Sequence, residues 1–228
     1  MANKVARGGR FFAPLLLVMG ISVAMLNAAA AQSLAPGRYA IDSEASKIHW
    51  RVYKAGAFAR FGHNHVIAIP APSGQINVAA VLADSQVELA FSVADLVIDD
   101  PALRSLYGED FASEPSESDI AGTKTNMLTE QVLNGELFPS ITVVGSGLTG
   151  IGPGQSINLA VSMLGRVVEL TVPVSVELND GSLRVRGDFR LTHEDLGMVP
   201  FSVMMGALQV GNEIDFTLDI VANAQTAL

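Results

Sequence analysis

The segment Glu213-Ile214-Asp215-Phe216-Thr217-Leu218-Asp219-Ile220 alternates strictly between polar and large apolar side chains. Successive side chains of a β-strand point to opposite faces, so a period of two predicts a strand with one apolar and one solvated face. The apolar face must be covered by other apolar surface. The remainder of the chain supplies that surface in the same pattern.

The alternation recurs in several segments upstream, and turn sequences separate them. Asn179-Asp180-Gly181 is typical of a tight hairpin, and the stretch from Gly145 to Gly154 is typical of a glycine-rich loop. The apolar rows are Ile48, Trp50, Val52; Val87, Leu89, Phe91, Val93; Ile157, Leu159, Val161, Met163; Val168, Leu170, Val172, Val174, Val176, Leu178; and Leu183, Val185, Phe189, Leu191. This pattern predicts an all-β fold: a single antiparallel β-barrel of about eight strands whose apolar rows point inward.

Residues 99–134 interrupt the alternation. Tyr107 to Asp119 is rich in Ser, Glu and Asp, which predicts a solvated loop. From Asp119 to Leu133 the apolar residues follow helical spacing, with Asp119 as N-cap and Gly135 as the C-terminal stop. We therefore expect one helical insertion that closes one end of the barrel.

The N-terminal segment has the composition of an export signal. Lys4, Arg7 and Arg10 precede the apolar run from Phe11 to Leu26, and the alanines of residues 28–31 fit a signal-peptidase site. We expect a secretory signal over residues 1–31 and a single barrel domain over residues 37–222. Cleavage would remove three cations and no acid, which lowers the net charge from −9 to −12. The predicted location is the periplasm or the extracellular medium.

Composition excludes several classes of function. The chain is acidic overall and has no basic stripe, so nucleic acid is not an expected partner. It contains no cysteine, which excludes disulfides, thiolate metal sites and a cysteine nucleophile. No apolar stretch after the signal is long enough to span a bilayer as a helix, so we expect no integral membrane segment after cleavage. The sequence leaves the oligomeric state open between a monomer and a homodimer.

Five segments, taken together in their order and spacing, carry a family resemblance. They are Tyr39-Ala40-Ile41-Asp42 with Ile48-His49-Trp50; residues 133–141, which include Phe138-Pro139; Leu164-Gly165-Arg166-Val167-Val168-Glu169-Leu170; residues 190–198, which include Thr192-His193-Glu194-Asp195; and Val210-Gly211-Asn212-Glu213-Ile214. In these segments the chain resembles the YceI-like polyisoprenoid-binding family from about Gly37 to Val221. The resemblance implies a lipocalin-like barrel with an apolar tunnel for an isoprenoid or another amphiphilic lipid, and no catalytic machinery.

The histidines are the main polar candidates for a site. His63 and His65 are two residues apart and share their strand face with Phe61 and Ile67, so we expect both to point inward. His193 follows the inward phase of Leu191, whereas His49 is expected on the outside. The residues predicted to line the ligand site are Trp50, Phe61, His63, His65, Ile67, Phe91, Val172, Phe189 and His193.

Two interpretations of the inward histidines are open. Imidazoles on one face can ligate a metal, but no carboxylate or cysteine at fixed spacing completes such a site. We interpret them instead as polar groups near the tunnel mouth that bond to each other, to the backbone or to a ligand head group. We expect no catalytic residue, cofactor or metal.

The expected function is that of an exported carrier or binding protein for an isoprenoid or similar long apolar lipid. The alternative is a histidine-dependent metal-binding or redox-associated periplasmic protein. A third possibility is a small exported stress factor whose interior is filled by its own side chains.

Overall fold

The computed structural model describes residues 35–179 and 181–225. These residues form twelve strands and two α-helices, with short 3-10 turns between some of them. The strands are β1 (Gly37–Ile41), β2 (Lys47–Ala55), β3 (His65–Ile69), β4 (Gly74–Val78), β5 (Gln86–Ser92), β6 (Val97–Ile98), β7 (Ser140–Ser146), β8 (Gly152–Met163), β9 (Arg166–Asn179), β10 (Ser182–Thr192), β11 (Ser202–Val203) and β12 (Leu208–Ala224). The helices are α1 (Pro101–Arg104) and α2 (Glu117–Leu128).

Eight antiparallel strands close into a barrel, in the order β1, β4, β5, β7, β8, β9, β10, β12. The ring closes where β1 pairs with the end of β12, with Tyr39 opposite Ala224. Closure satisfies the backbone groups that an open sheet would leave at its edges. The predicted fold class is confirmed.

The long strand β12 also carries an extension of the sheet. Along one edge it pairs with β10, and along the other it pairs with β2 before it reaches β1. Strand β2 pairs in turn with β3, and β3 with β6. One inward row therefore crosses four strands in register: Phe189, Phe216, Trp50 and Ile67.

The apolar rows face the interior, where they form two clusters. The larger cluster surrounds the middle of the barrel and includes residues of β1 to β5, β7, β8, β10 and β12. The smaller one is formed by Val172, Val174 and Val176 of β9, which pack with residues such as Ile157 and fill part of the interior with side chains. Burial of alternate residues along β9 follows the period of two in its sequence.

Helix α2 begins and ends earlier than its apolar pattern predicts. Ser116 rather than Asp119 is the N-cap, because the Ser116 hydroxyl accepts a hydrogen bond from Asp119 N while the Asp119 carboxylate accepts one from Ser116 N. This reciprocal pair places Asp119 inside the first turn. At the other end, residues 129–135 form turns, and Gly135 N donates to Leu128 O.

The segment predicted as a solvated loop is instead partly packed against the barrel. Residues 105–111 form 3-10 turns in which Phe111 is buried, and the preceding Arg104 of α1 is buried too. Tyr107 of this segment contacts His49 on the outer face of β2. Most residues from Tyr107 to Asp119 are exposed, as predicted, and Phe111 is the one buried residue among them.

Part of the sequence interpretation lies outside the described residues. The signal over residues 1–31 is one such prediction, and Asp180 of the β9–β10 hairpin is another. Within the part of the chain that is described, no helix combines the length and apolar character that crossing a membrane requires.

Candidate functional site: an apolar chamber with a polar end

The barrel encloses a cavity of about 450 Å³. Its wall is formed mainly by inward side chains of β2, β3, β5, β7, β8, β10 and β12, together with residues of α2. Most of the wall is aliphatic or aromatic, as in Leu89, Leu159, Leu170 and Ile214. Pockets that enclose a small ligand commonly measure about 300–1,000 Å³ and have mostly apolar walls with a few placed polar groups.

Seven of the nine predicted site residues lie in this wall, namely Trp50, His63, His65, Ile67, Phe91, Phe189 and His193. Two of them flank Phe216, which was not among the predicted site residues: the Phe189 ring stacks on the Phe216 ring at 5.6 Å, and the Trp50 ring lies tilted to it at 5.9 Å. Val172 points into the barrel but belongs to the smaller cluster rather than to the cavity wall. Contact of these residues with a ligand stays a prediction.

Phe61 was placed wrongly by the sequence pattern. Strand β3 begins only at His65, and Phe61 lies in a 3-10 turn over residues 59–61, where its side chain is 65% exposed. The alternation that holds for His65 and Ile67 therefore does not extend back to Phe61. His63 still reaches the wall, with its ring centroid 6.2 Å from that of His65.

His65 is anchored from behind by a buried ion pair. Its Nδ1 lies 2.6 Å from the Asp99 carboxylate, whose other oxygen accepts from Arg104 at 2.5 Å and from Val66 N at 2.9 Å. Arg104 also donates to the carbonyl oxygens of Asn64 and Phe111. This network fixes the start of β3 to α1 and to the turn that follows α1.

Asp99 is held in its charged form. Burial alone would raise its pKa, but hydrogen bonds from His65, Val66 N and Arg104 outweigh burial and lower the pKa. Because an ionised carboxylate only accepts hydrogen bonds, the proton between the two residues belongs to His65 Nδ1. The other ring nitrogen, Nε2, lies on the side of Thr123, 3.4 Å from its hydroxyl.

The polar groups of the wall are gathered at one end of the cavity. His63, His65, His193 and Lys54 belong to the ends of β2, β3 and β10 that meet the connections over residues 56–64 and 193–207. His193 Nδ1 lies 3.0 Å from Asn212 O, an acceptor, so this ring also carries its proton on Nδ1. The cavity thus has an apolar body and a polar end.

His49 lies on the outer face, as expected, but it is buried rather than solvated. Its Nε2 bonds to the Tyr107 hydroxyl, while its Nδ1 has no hydrogen-bond partner among the described residues. Burial and the neighbouring Arg51 lower the pKa of His49. Among residues 35–179 and 181–225, no group of three or more His, Cys, Asp or Glu side chains is placed to hold a metal ion.

Sequence reasoning missed the contribution of the helix and of the anchor behind His65. Thr123, Asn126 and Met127 of α2 line the cavity, although only Met127 belonged to the apolar helical pattern. The anchor had a local signal that could have been used: Asp100 before Pro101 is a typical N-cap and first helical residue, and it places Asp99 at a helix boundary.

The architecture defines a class of protein: a closed antiparallel barrel with an apolar internal chamber that is polar at one end. The family model described as YceI-like domain matches residues 39–222, and the chain belongs to this family. The family expected from the sequence is thereby confirmed.

Solved structures with the same fold are distant in sequence. BcnA of Burkholderia cenocepacia is 15% identical, with a TM-score of 0.58 over 80% of this chain and 99% of that chain. The YceI protein of Campylobacter jejuni is 7% identical, with a TM-score of 0.50 over 70% of this chain and 85% of that chain. A mutant of the Campylobacter jejuni protein with a monobromobimane guest is also 7% identical to this chain, with a TM-score of 0.51. A comparison with curated proteins finds no match.

Proposed function

We propose that this protein binds one long apolar lipid, of isoprenoid type, with its tail in the chamber and its head group at the histidine end. The single observation that carries the proposal is the continuous apolar wall of a cavity of about 450 Å³ inside a closed barrel. Membership of the YceI-like domain family supports it. The role that we assign is binding and carriage rather than catalysis.

The driving force is the removal of the tail from water. Each methylene that becomes buried contributes about 0.8 kcal/mol, so a partly enclosed tail can offset the loss of translational freedom on binding. Aromatic rings such as Trp50, Phe189 and Phe216 add contact area without much loss of side-chain freedom.

A matched pair on β7 tests the chamber. Val143 lines the cavity, whereas the next residue, Val144, points to the outer face and is partly exposed. Val143→Trp should fill part of the cavity and weaken binding of a polyprenol such as geranylgeraniol at least about tenfold, which corresponds to about 1.4 kcal/mol. Titration of the purified protein with the polyprenol, followed by tryptophan fluorescence, measures this.

Val144→Trp is the control, because it adds the same side chain to the same strand on the other face. It should bind the polyprenol as the wild type does. Thermal unfolding of both variants shows whether the barrel is intact. Equal loss of affinity in two folded variants would mean that the polyprenol binds outside the chamber.

We further propose that the protein is exported and acts in the periplasm or outside the cell. The basic, apolar and alanine-rich parts of residues 1–31 support this proposal. N-terminal sequencing of protein from the periplasmic fraction should give a start at or next to Gln32. A chain that retains Met1 and stays with the membrane fraction would contradict it.

A further inference from the structure

An exposed apolar rim borders the polar end of the cavity on the side opposite α2 residues such as Thr123. It consists of Phe58 and Phe61 on the connection between β2 and β3, and of Val203, Met204 and Met205 on the connection between β10 and β12. Val203 also lines the cavity, as do Gly62 and Leu208, which adjoin the two halves of the rim. The rim is therefore continuous with the cavity mouth.

The rim is a built structure, because backbone contacts join its two halves. Phe58 N donates to Ala207 O at 2.7 Å, and the Phe58 and Phe61 rings lie edge to face at 6.1 Å. A Cβ atom at Gly56, where φ is +89°, would lie 2.6 Å from Ala207 O, so this close approach needs glycine.

The two methionines of the rim are exposed to solvent although their backbone conformation is strained. Met204 and Met205 both have left-handed backbone conformations, with φ of 54° and 56°, which are unfavourable for residues other than glycine. The Met205 side chain is fully exposed. Backbone strain of this kind persists where the surrounding structure imposes it, and here it holds two flexible apolar side chains in water.

The charge of the rim differs from that of the rest of the molecule. The chain has 23 acidic residues and a net charge of −9, yet residues 54–64 and 196–212 contain no acid. Their charged residues are Lys54, whose Nζ donates to Gly62 O, and Arg60, whose guanidinium lies 4.5 Å from the centre of the Phe61 ring. The two connections that form the rim are thus apolar with two cations, whereas the acidic residues near this end, such as Asp119 close to His63, lie on the α2 side of the cavity.

We propose that the rim docks on the surface of a lipid bilayer, with Phe61 and Met205 inserted at the level of the head groups and Arg60 and Lys54 facing their phosphates. Aromatic and other apolar side chains flanked by cations are typical of segments that lie in the membrane interface. The acidic remainder of the surface is repelled by an anionic bilayer, which orients the mouth toward it. Docking places the cavity opening against the lipid from which a ligand can enter.

The test uses protein purified after expression of the full chain, so that every variant has the same N-terminus. Cosedimentation with vesicles of equal parts phosphatidylcholine and phosphatidylglycerol measures binding. The wild type should sediment with the vesicles, and Phe61→Glu with Met205→Glu should lower the partition coefficient at least about tenfold. Val81→Glu is the control for one added carboxylate and is compared with Phe61→Glu alone, because Val81 is about as exposed as Phe61 but lies on the β4–β5 connection at the other end of the barrel.

Further outcomes separate this proposal from the proposed cavity function. The Val143→Trp protein keeps the rim and should sediment with vesicles as the wild type does. If Val143→Trp abolishes sedimentation, or if all variants behave alike, rim docking is wrong. If the wild type does not sediment with vesicles but forms a dimer, and the double variant is monomeric, docking on a bilayer is wrong. The rim would then be an interface with a second copy of the chain.

Discussion

Asp99 follows β6 with a fully buried side chain, and it joins a cavity-wall histidine to the buried Arg104. Its backbone is left-handed, with φ of 57°, a conformation that Asp and Asn tolerate better than most residues. The same residue therefore sets the direction of the chain into α1 and the orientation of the His65 ring. Removal of its charge would leave Arg104 buried and unpaired.

Asp99→Asn keeps the shape and the backbone preference but loses the charge. It should lower the free energy of unfolding by about 3 kcal/mol at neutral pH, as expected when one partner of a buried ion pair is lost. The folded-state pKa of Asp99 is lowered, so its contribution is present above the unfolded pKa of about 3.9 and is lost as pH falls through the folded value.

Urea unfolding at a series of pH values checks both effects. Below about pH 4, the wild type should lose stability more steeply than the variant. Asp84→Asn, at an exposed aspartate, is the control and should change little. Parallel pH profiles for the wild type and Asp99→Asn would show that Asp99 is not held charged by its partners.

At the level of single residues, the sequence predicted positions well only where a regular strand surrounds them. Trp50 and Phe189 were placed correctly because each sits inside a strand with a period of two. Ile67 was placed correctly because it follows His65 at a spacing of two on β3, a strand that is buried on both faces. Phe61 was not, because the pattern alone does not reveal that the chain turns before His65. The contact of Asp99 with His65 joins residues 34 positions apart, which no local pattern contains.

Strand β9 shows how the elements use the alternation. Val172, Val174 and Val176 are buried inside the barrel, whereas Glu169 on the opposite phase is exposed. A shift of one residue in register would exchange these faces, so the apolar row fixes the register of β9 against β8 and β10. The strands that carry an alternating apolar row, namely β2, β5, β8, β9, β10 and β12, could therefore be predicted from the sequence alone, together with the face that each one buries.

Val172→Asp tests this assignment of faces. An unpaired carboxylate would enter an apolar cluster, so the variant should lose several kcal/mol of stability, about the cost of burying a polar group without a partner. Glu169→Ala, on the solvated face of the same strand, should stay within about 0.5 kcal/mol of the wild type. Circular dichroism during thermal unfolding measures both, and similar losses in the two variants would mean that the faces are exchanged.

The presence of helix α2 was predicted, but its first and last residues were not. The apolar pattern extended to Leu133, yet the helix ends at Leu128 because residues 129–135 satisfy their backbone groups in turns. The helix starts where Ser116 and Asp119 form reciprocal hydrogen bonds, upstream of the first residue of the apolar pattern. Local hydrogen bonds, from side chains at the start and from backbone turns at the end, rather than hydrophobic spacing, decided the bounds of the helix.

At the scale of the whole domain, the cavity exists because the sheet closes on itself. The eight-stranded ring depends on β1 meeting the end of β12, two segments at opposite ends of the domain. The number of strands and their amphipathic pattern made a barrel predictable. The size of the cavity could not be predicted from the strand number and pattern. It depends on how much of the interior is filled by side chains such as Val172 and by residues of α2.

Native mass spectrometry of the protein, purified from the producing cells without detergent, tests the central claim most directly. The account predicts a population heavier than the polypeptide by one long-chain lipid, which dissociates on collisional activation. This population should be strongly reduced in Val143→Trp and unchanged in Val144→Trp. The same spectra report any bound metal. Wild-type protein found only as the bare chain under these conditions, or as the chain with one stoichiometric metal ion and no lipid, would contradict the account.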